Sequence, residues 1–181
     1  MTHAMEAPGS GPAATEAVWF LGTLVRTKLA GEDTGGRFAL QEALLPRGAA
    51  PPLHSHPQDE TLYVLAGEVT FWIVEPELAQ QRSWVETHAR TGLAGAAFLA
   101  PAGTPHSFRV ESDTARMLYL STPAGIEDYI HALAEPARRP WLPPPAEGPR
   151  VPLDRLAAVE REHGVIRHAP PPPAAEPKEE Q

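Results

Sequence analysis

The stretch from Gly48 to Gly67, GAAPPLHSHPQDETLYVLAG, sets His54 and His56 one residue apart and Glu60 a short step further on. In an extended strand alternate side chains face the same way, so His54 and His56 can present two imidazoles to one ion, and Glu60 keeps their parity. A second stretch, Gly95 to Val110, reads GAAFLAPAGTPHSFRV. Its Pro101–Pro105 segment is of the Pro/Gly-rich kind that swings a chain back into a sheet, and His106 follows directly. Three imidazoles and one carboxylate would then meet at a single point. Such a set, borderline nitrogens with one hard oxygen, suits one divalent transition metal per chain and accepts Fe, Mn, Ni, Co or Zn alike. Asp59 has the opposite parity and reads as a solvated or turn-stabilising acid, while Gln58 shares the parity of Glu60 but is a poor ligand.

The two stretches resemble the paired signature motifs of the cupin superfamily. The first motif, G-x5-H-x-H-x3-E-x6-G, is matched by Gly48, His54, His56, Glu60 and Gly67, and the second, G-x5-P-x-G-x2-H-x3-N, by Gly95, Pro101, Gly103 and His106. Val110 stands where the family usually has Asn, a position of strand-end hydrogen bonding that is not a metal ligand. Softer matches, Leu21-Gly22-Thr23, Gly35-Gly36-Arg37-Phe38, Ser121 to Gly125 and His163-Gly164, resemble a quercetinase-like (flavonol dioxygenase-like) branch of single-domain bacterial cupins. The resemblance implies an all-β fold, a jelly-roll barrel, here with a C-terminal helical and proline-rich extension. It also implies that His54, His56, Glu60 and His106 hold the metal, that Glu60 takes a proton from a substrate hydroxyl, and that the chain forms a homodimer.

Composition narrows the partners. The formal net charge of -8 argues against nucleic acid, which is bound through clustered Lys and Arg. With no cysteine in 181 residues there are no disulfides, no thiolate catalysis and no Cys-ligated zinc. No apolar run is long enough to span a bilayer, and the first residues have neither the basic nor the apolar region of a secretory signal, so the expected location is the cytoplasm.

Short β-prone runs are predicted over 18–25, 38–45, 60–66, 69–74, 96–100, 106–110 and 117–121, the pattern of a sandwich or jelly-roll barrel. Residues 1–17 read as a flexible arm, 18–122 as the barrel, 123–166 as the extension and 167–181 as a disordered tail. Within the extension, a helix is expected over 125–134 with Pro123 in its first turn, and another over 154–163 ending at Gly164. The proline-rich strap 136–152 lies between them and is expected to wrap the barrel or a partner, while the polar segment 75–92 reads as a loop.

Chemistry follows from the donor set. Two positions would remain open on an octahedral ion, where an enolic or catecholic oxygen could be held as its anion before reaction with dioxygen. Phe71, Ile73, Phe108 and Tyr119 are candidate walls of the substrate pocket, with Phe108 on the face of His106. His3, His88, His131, His163 and His168 lie in loop, helix or terminal contexts and are not read as ligands. The leading function is a metal-dependent dioxygenase of a small aromatic or enolic compound, flavonol- or polyketide-like. A non-oxidative isomerase or lyase and a non-catalytic binding cupin would use the same residues.

Overall fold

The structure, a computed structural model, describes residues 17–75, 77–78, 89–144 and 150–173. The expected arm up to residue 16 with His3, residues 79–88 of the expected loop with His88, residues 145–149 of the strap and the tail from 174 lie outside the described residues. The strands are β1 (Val18–Phe20), β2 (Thr23–Leu29), β3 (Ala39–Pro46), β4 (Leu53–Ser55), β5 (Asp59–Ala66), β6 (Glu68–Ile73), β7 (Ala89–Leu93), β8 (Ala97–Ala100), β9 (His106–Val110), β10 (Thr114–Thr122), β11 (Glu135–Pro136) and β12 (Ile166–Ala169). The helices are α1 (Gly31–Thr34), α2 (Ile126–Leu133) and α3 (Leu153–Glu162). A seven-stranded sheet, β11-β1-β2-β3-β10-β5-β8, faces a five-stranded one, β12-β4-β9-β6-β7, and every pairing is antiparallel. This is the all-β jelly-roll sandwich expected of the sequence.

Alternation of side chains across the pleat builds the core. Val25 pairs with Ala43, Ala43 with Met117 and Met117 with Val64, so one buried apolar row crosses four strands of the larger sheet. The smaller sheet answers with Val69, Phe71 and Val110, and Phe71 stacks on Phe98 at 3.8 Å between ring centroids. Val110, in the place of the family's Asn, is buried in this cluster. Its backbone closes the strand end instead: its N–H donates to the Ala49 carbonyl at 3.1 Å, and its carbonyl accepts from Gly48 N–H at 2.9 Å.

Local chemistry changes several predicted boundaries. The run 18–25 is not one strand, because Leu21 and Gly22 both take positive φ (45° and 86°), the conformation of a two-residue hairpin turn that joins β1 to β2. β7 occupies the end of the segment read as a loop, pairing with β6. Pro123 lies outside α2, since the chain turns at Gly125 (φ 139°) before the helix starts. Glu127 then satisfies the helix entry, accepting from Gly125 N–H at 2.7 Å and from Gly31 N–H at 3.0 Å. Two described parts of the strap touch the barrel: Pro136 of β11 pairs with Val18 of β1, and the Trp19 indole N–H donates to the Trp141 carbonyl at 2.9 Å. The segment from 167, expected as a disordered tail, begins in a sheet, where Arg167 and Ala169 pair with His54 and Leu53. Among the described residues no helix is long and apolar enough to cross a membrane.

Two substitutions test this packing. Gly67 joins β5 to β6 at φ 89°, and a Cβ there would lie 2.5 Å from the Thr114 carbonyl oxygen. Gly67→Ala is expected to cost about 2–4 kcal/mol in a urea titration, from backbone strain and overlap together. Val110→Asn, which introduces the residue usual in the motif that this stretch resembles, is expected to cost about 1–3 kcal/mol by the same measurement, because the amide would enter an apolar cluster with the strand-end hydrogen bonds already made.

Candidate metal centre

His54 lies in the middle of β4, His56 just beyond its end, Glu60 near the start of β5 and His106 at the start of β9. β4 and β9 run side by side with His54 opposite His106, so the two imidazoles leave the sheet on one face. His56 continues the parity past the strand, and the three rings offer nitrogens that all lie within 4.8 Å of one another. A Glu60 carboxylate oxygen stands 3.2 Å from His106 Nε2 and 3.7 Å from His56 Nε2.

Backbone contacts hold the loops that carry these ligands together. Gly103 N–H donates to the His56 carbonyl at 2.8 Å, and Ala102 N–H donates to the Asp59 carboxylate at 2.7 Å. Asp59 thus ties the turn before His106 to the first stretch, the turn-stabilising role its parity allowed. His54 and His106 are oriented the same way, each Nδ1 donating to the carbonyl two residues before it: Pro52 at 2.8 Å and Thr104 at 2.9 Å. A carbonyl can only accept, so Nδ1 carries the proton and Nε2 keeps its lone pair toward the cluster.

Electrostatics follow from burial. Burial is the main influence on His54 and, with the neighbouring His106, pushes it down to about 3, so its imidazole is neutral and available as a ligand. Burial works to raise Glu60, but the close approach of His106 and then His56 outweighs it and holds the carboxyl well below the usual range. His106 moves the other way, raised because its contact with Glu60 outweighs burial. Tyr119 is raised well above the ordinary phenol value by burial and then by the Glu60 charge, which keeps a neutral hydroxyl.

The residues fit a metal. Both ring nitrogens of His56 and Nε2 of His106 are buried without a hydrogen-bond partner, a cost that coordination of an ion by lone pairs would remove. The three histidines form the group that could hold one ion, with Glu60 beside it as a fourth donor. The other histidines do different work. His131 shares a hydrogen bond with Thr27 at 3.1 Å, His163 packs edge-on to Tyr129, and His168, read as part of the loose end, bonds to Ser55 at 2.9 Å and so pins β12 to β4.

The cluster opens into a cavity of about 230 Å³ whose lining is mostly apolar. Of the four predicted wall residues, Phe108 and Tyr119 line it. Phe71 and Ile73 do not. Phe71 pairs with Phe108 and shares its face, but it lies beneath Phe98 in the core, and Ile73 sits opposite His106 outside the lining. Sequence reasoning missed the wall supplied from afar by Phe20, Ile126, Tyr129, Ile130, Glu160 and Arg167. The available signal was the apolar stripe Ile126, Ile130 and Leu133 of α2, whose buried side had to face something.

Residues 41–123 match the cupin domain family. No curated protein sequence matches the chain. Among solved structures, KdgF from Halomonas sp. is 18% identical with a TM-score of 0.47, the match covering 60% of this chain and 86% of that one. An RmlC-like cupin from Shewanella frigidimarina is 14% identical with a TM-score of 0.48, covering 62% and 88%. The Bacillus subtilis oxalate decarboxylase, described for its Mn(II) centres, is 20% identical with a TM-score of 0.48, covering 64% of this chain and 31% of its own. The match to the cupin domain family over residues 41–123 spans both motif stretches, the facing His54 and His106 and the paired strands that carry them.

Proposed function

We propose that the protein is a metal-dependent dioxygenase of a small, largely apolar enol or catechol. The observation that carries this reading is the position of three convergent imidazoles and one carboxylate at the end of an otherwise apolar cavity. His54, His56, His106 and Glu60 would hold the ion. Bound there, a divalent ion supplies Lewis acidity toward an enolic or phenolic oxygen and, for a redox-active metal, access to dioxygen chemistry.

The remaining work falls to the chain. Phe108, Ile126 and Ile130 would hold the apolar body of the substrate and exclude water, which strengthens electrostatic interactions in the site. Glu60, within reach of the same point as the imidazoles, would take the proton of the hydroxyl as it becomes an anion. Tyr119 would offer a neutral hydroxyl in the same wall. The cavity of about 230 Å³ is below the ~300–1,000 Å³ of most ligand pockets, which favours a compound of one or two rings over a three-ring flavonol.

The test joins elemental analysis to an oxygen electrode. Metal-reconstituted protein is expected to hold about one ion per chain and to consume oxygen with catechols or enolic diketones. Consumption of the organic compound with no oxygen uptake would replace this reading by a lyase or isomerase, and absence of metal after reconstitution would replace it by a binding protein. His54→Ala and His106→Ala are each expected to abolish stoichiometric metal, measured by mass spectrometry of the dialysed protein. Glu60→Gln, nearly isosteric, is expected to keep the fold and lower turnover roughly 10²–10⁴-fold, the usual worth of a positioned general base.

A further inference from the structure

Arg167 lines the cavity and is its one Arg or Lys among the described residues. Its place is set by the sheet: β12 pairs antiparallel with β4, and Arg167 stands directly opposite the metal ligand His54. Cross-strand partners share a face with their Cβ atoms about 4.5–5.5 Å apart, so the guanidinium leaves the sheet on the same side as the His54 ring. Glu160 on α3 lines the same wall and fixes the side chain, its Oε1 accepting from both Nε and Nη2 of Arg167 at 2.6 Å.

That contact uses one edge of the guanidinium. The fork has a second edge, formed by Nη1 and the other N–H of Nη2, and it matches the two oxygens of a carboxylate. Glu160 is well covered (12% exposed) while the arginine side chain remains 41% exposed. The arrangement is that of a cation oriented by a half-buried partner with donors to spare, beside the imidazole cluster and otherwise among apolar walls.

We propose that Arg167 is a specificity-determining residue that binds a carboxylate of the substrate, so that the compound taken by this site is an acid: an enol or catechol carrying a carboxylate on its ring or chain. The proposal rests on the enol or catechol reading above and names its substrate class. Arg167 does no chemistry at the reacting atoms. It selects among molecules that share the same metal-binding oxygens.

A matched pair of probes separates the two ideas. Catechol and 3,4-dihydroxybenzoate present the same vicinal hydroxyls and differ by one carboxylate. Their dissociation constants are measured by calorimetry on the full-length, Zn-reconstituted protein, with metal content checked in each variant. The wild type is expected to bind the acid roughly tenfold or more tightly than catechol, as a charge-assisted bidentate pair warrants. Arg167→Gln is expected to erase that preference while leaving catechol affinity and metal content unchanged, and Arg167→Lys, which keeps charge without the fork, to restore only part of it. Both variants keep the backbone pairing of β12 with β4. Catechol binding with no preference for the acid, or a preference that survives in Arg167→Gln, would overturn the role of Arg167 alone. Binding of neither probe would overturn it together with the reading on which it rests.

Discussion

Three imidazoles and a carboxylate, taken out of water and packed against one another, are the constraint around which this protein is built. Each would be costly alone. Burial removes the charge of His54, pushed down to about 3, while the nearby imidazoles of His106 and His56 keep the Glu60 carboxyl ionised despite its burial. Buried groups of this kind persist only where the surrounding structure fixes their partners. Here the fixing is done by backbone: the His54–His106 register, the carbonyls of Pro52 and Thr104 that orient the rings, and the two hydrogen bonds from the 102–103 turn to Asp59 and His56.

The rest of the sandwich makes those positions rigid. β4 is only Leu53–Ser55, too short to be held by its own ladder, and it is secured by β9 on one side and β12 on the other. β12 comes from the far end of the chain, and Ser55 grips it through His168. The extension that follows the barrel is therefore not an appendage. Its α2 closes the apolar side of the cavity, α3 and β12 supply Glu160 and Arg167, and the strap before them covers Trp19 through β11 and Trp141.

How much of this could be read from the chain depends on the range over which each feature is encoded. The ligands were legible because the information is local: parity within a strand puts His54, His56 and Glu60 on one side, and a Pro/Gly turn precedes His106. Parity also placed Phe71 on the face of Phe108, and the register agrees. What parity cannot give is depth. Phe71 lies one level further into the barrel, under Phe98, so a residue on the correct face became core instead of wall. The turn at Leu21-Gly22 is poorly marked in the sequence, because Leu rarely takes a positive φ. The pairing of β12 with β4 carries no local mark at all. Four residues, Ile166 to Ala169, become a strand only because a short, ligand-bearing partner lies open beside them.

The same long-range contacts decide what the site can distinguish. The ligand set is shared by many chemistries and fixes no substrate. Discrimination must come from the walls, and among the described residues the lining beyond the metal cluster holds two fully charged side chains, Glu160 and Arg167, both from the extension. As a pair they nearly cancel, so they do not oppose a divalent ion nearby, yet the arginine keeps directional donors that an apolar wall lacks. The barrel's imidazole cluster and the charged pair of the extension are coupled here through one short strand, since the residue opposite Arg167 is His54.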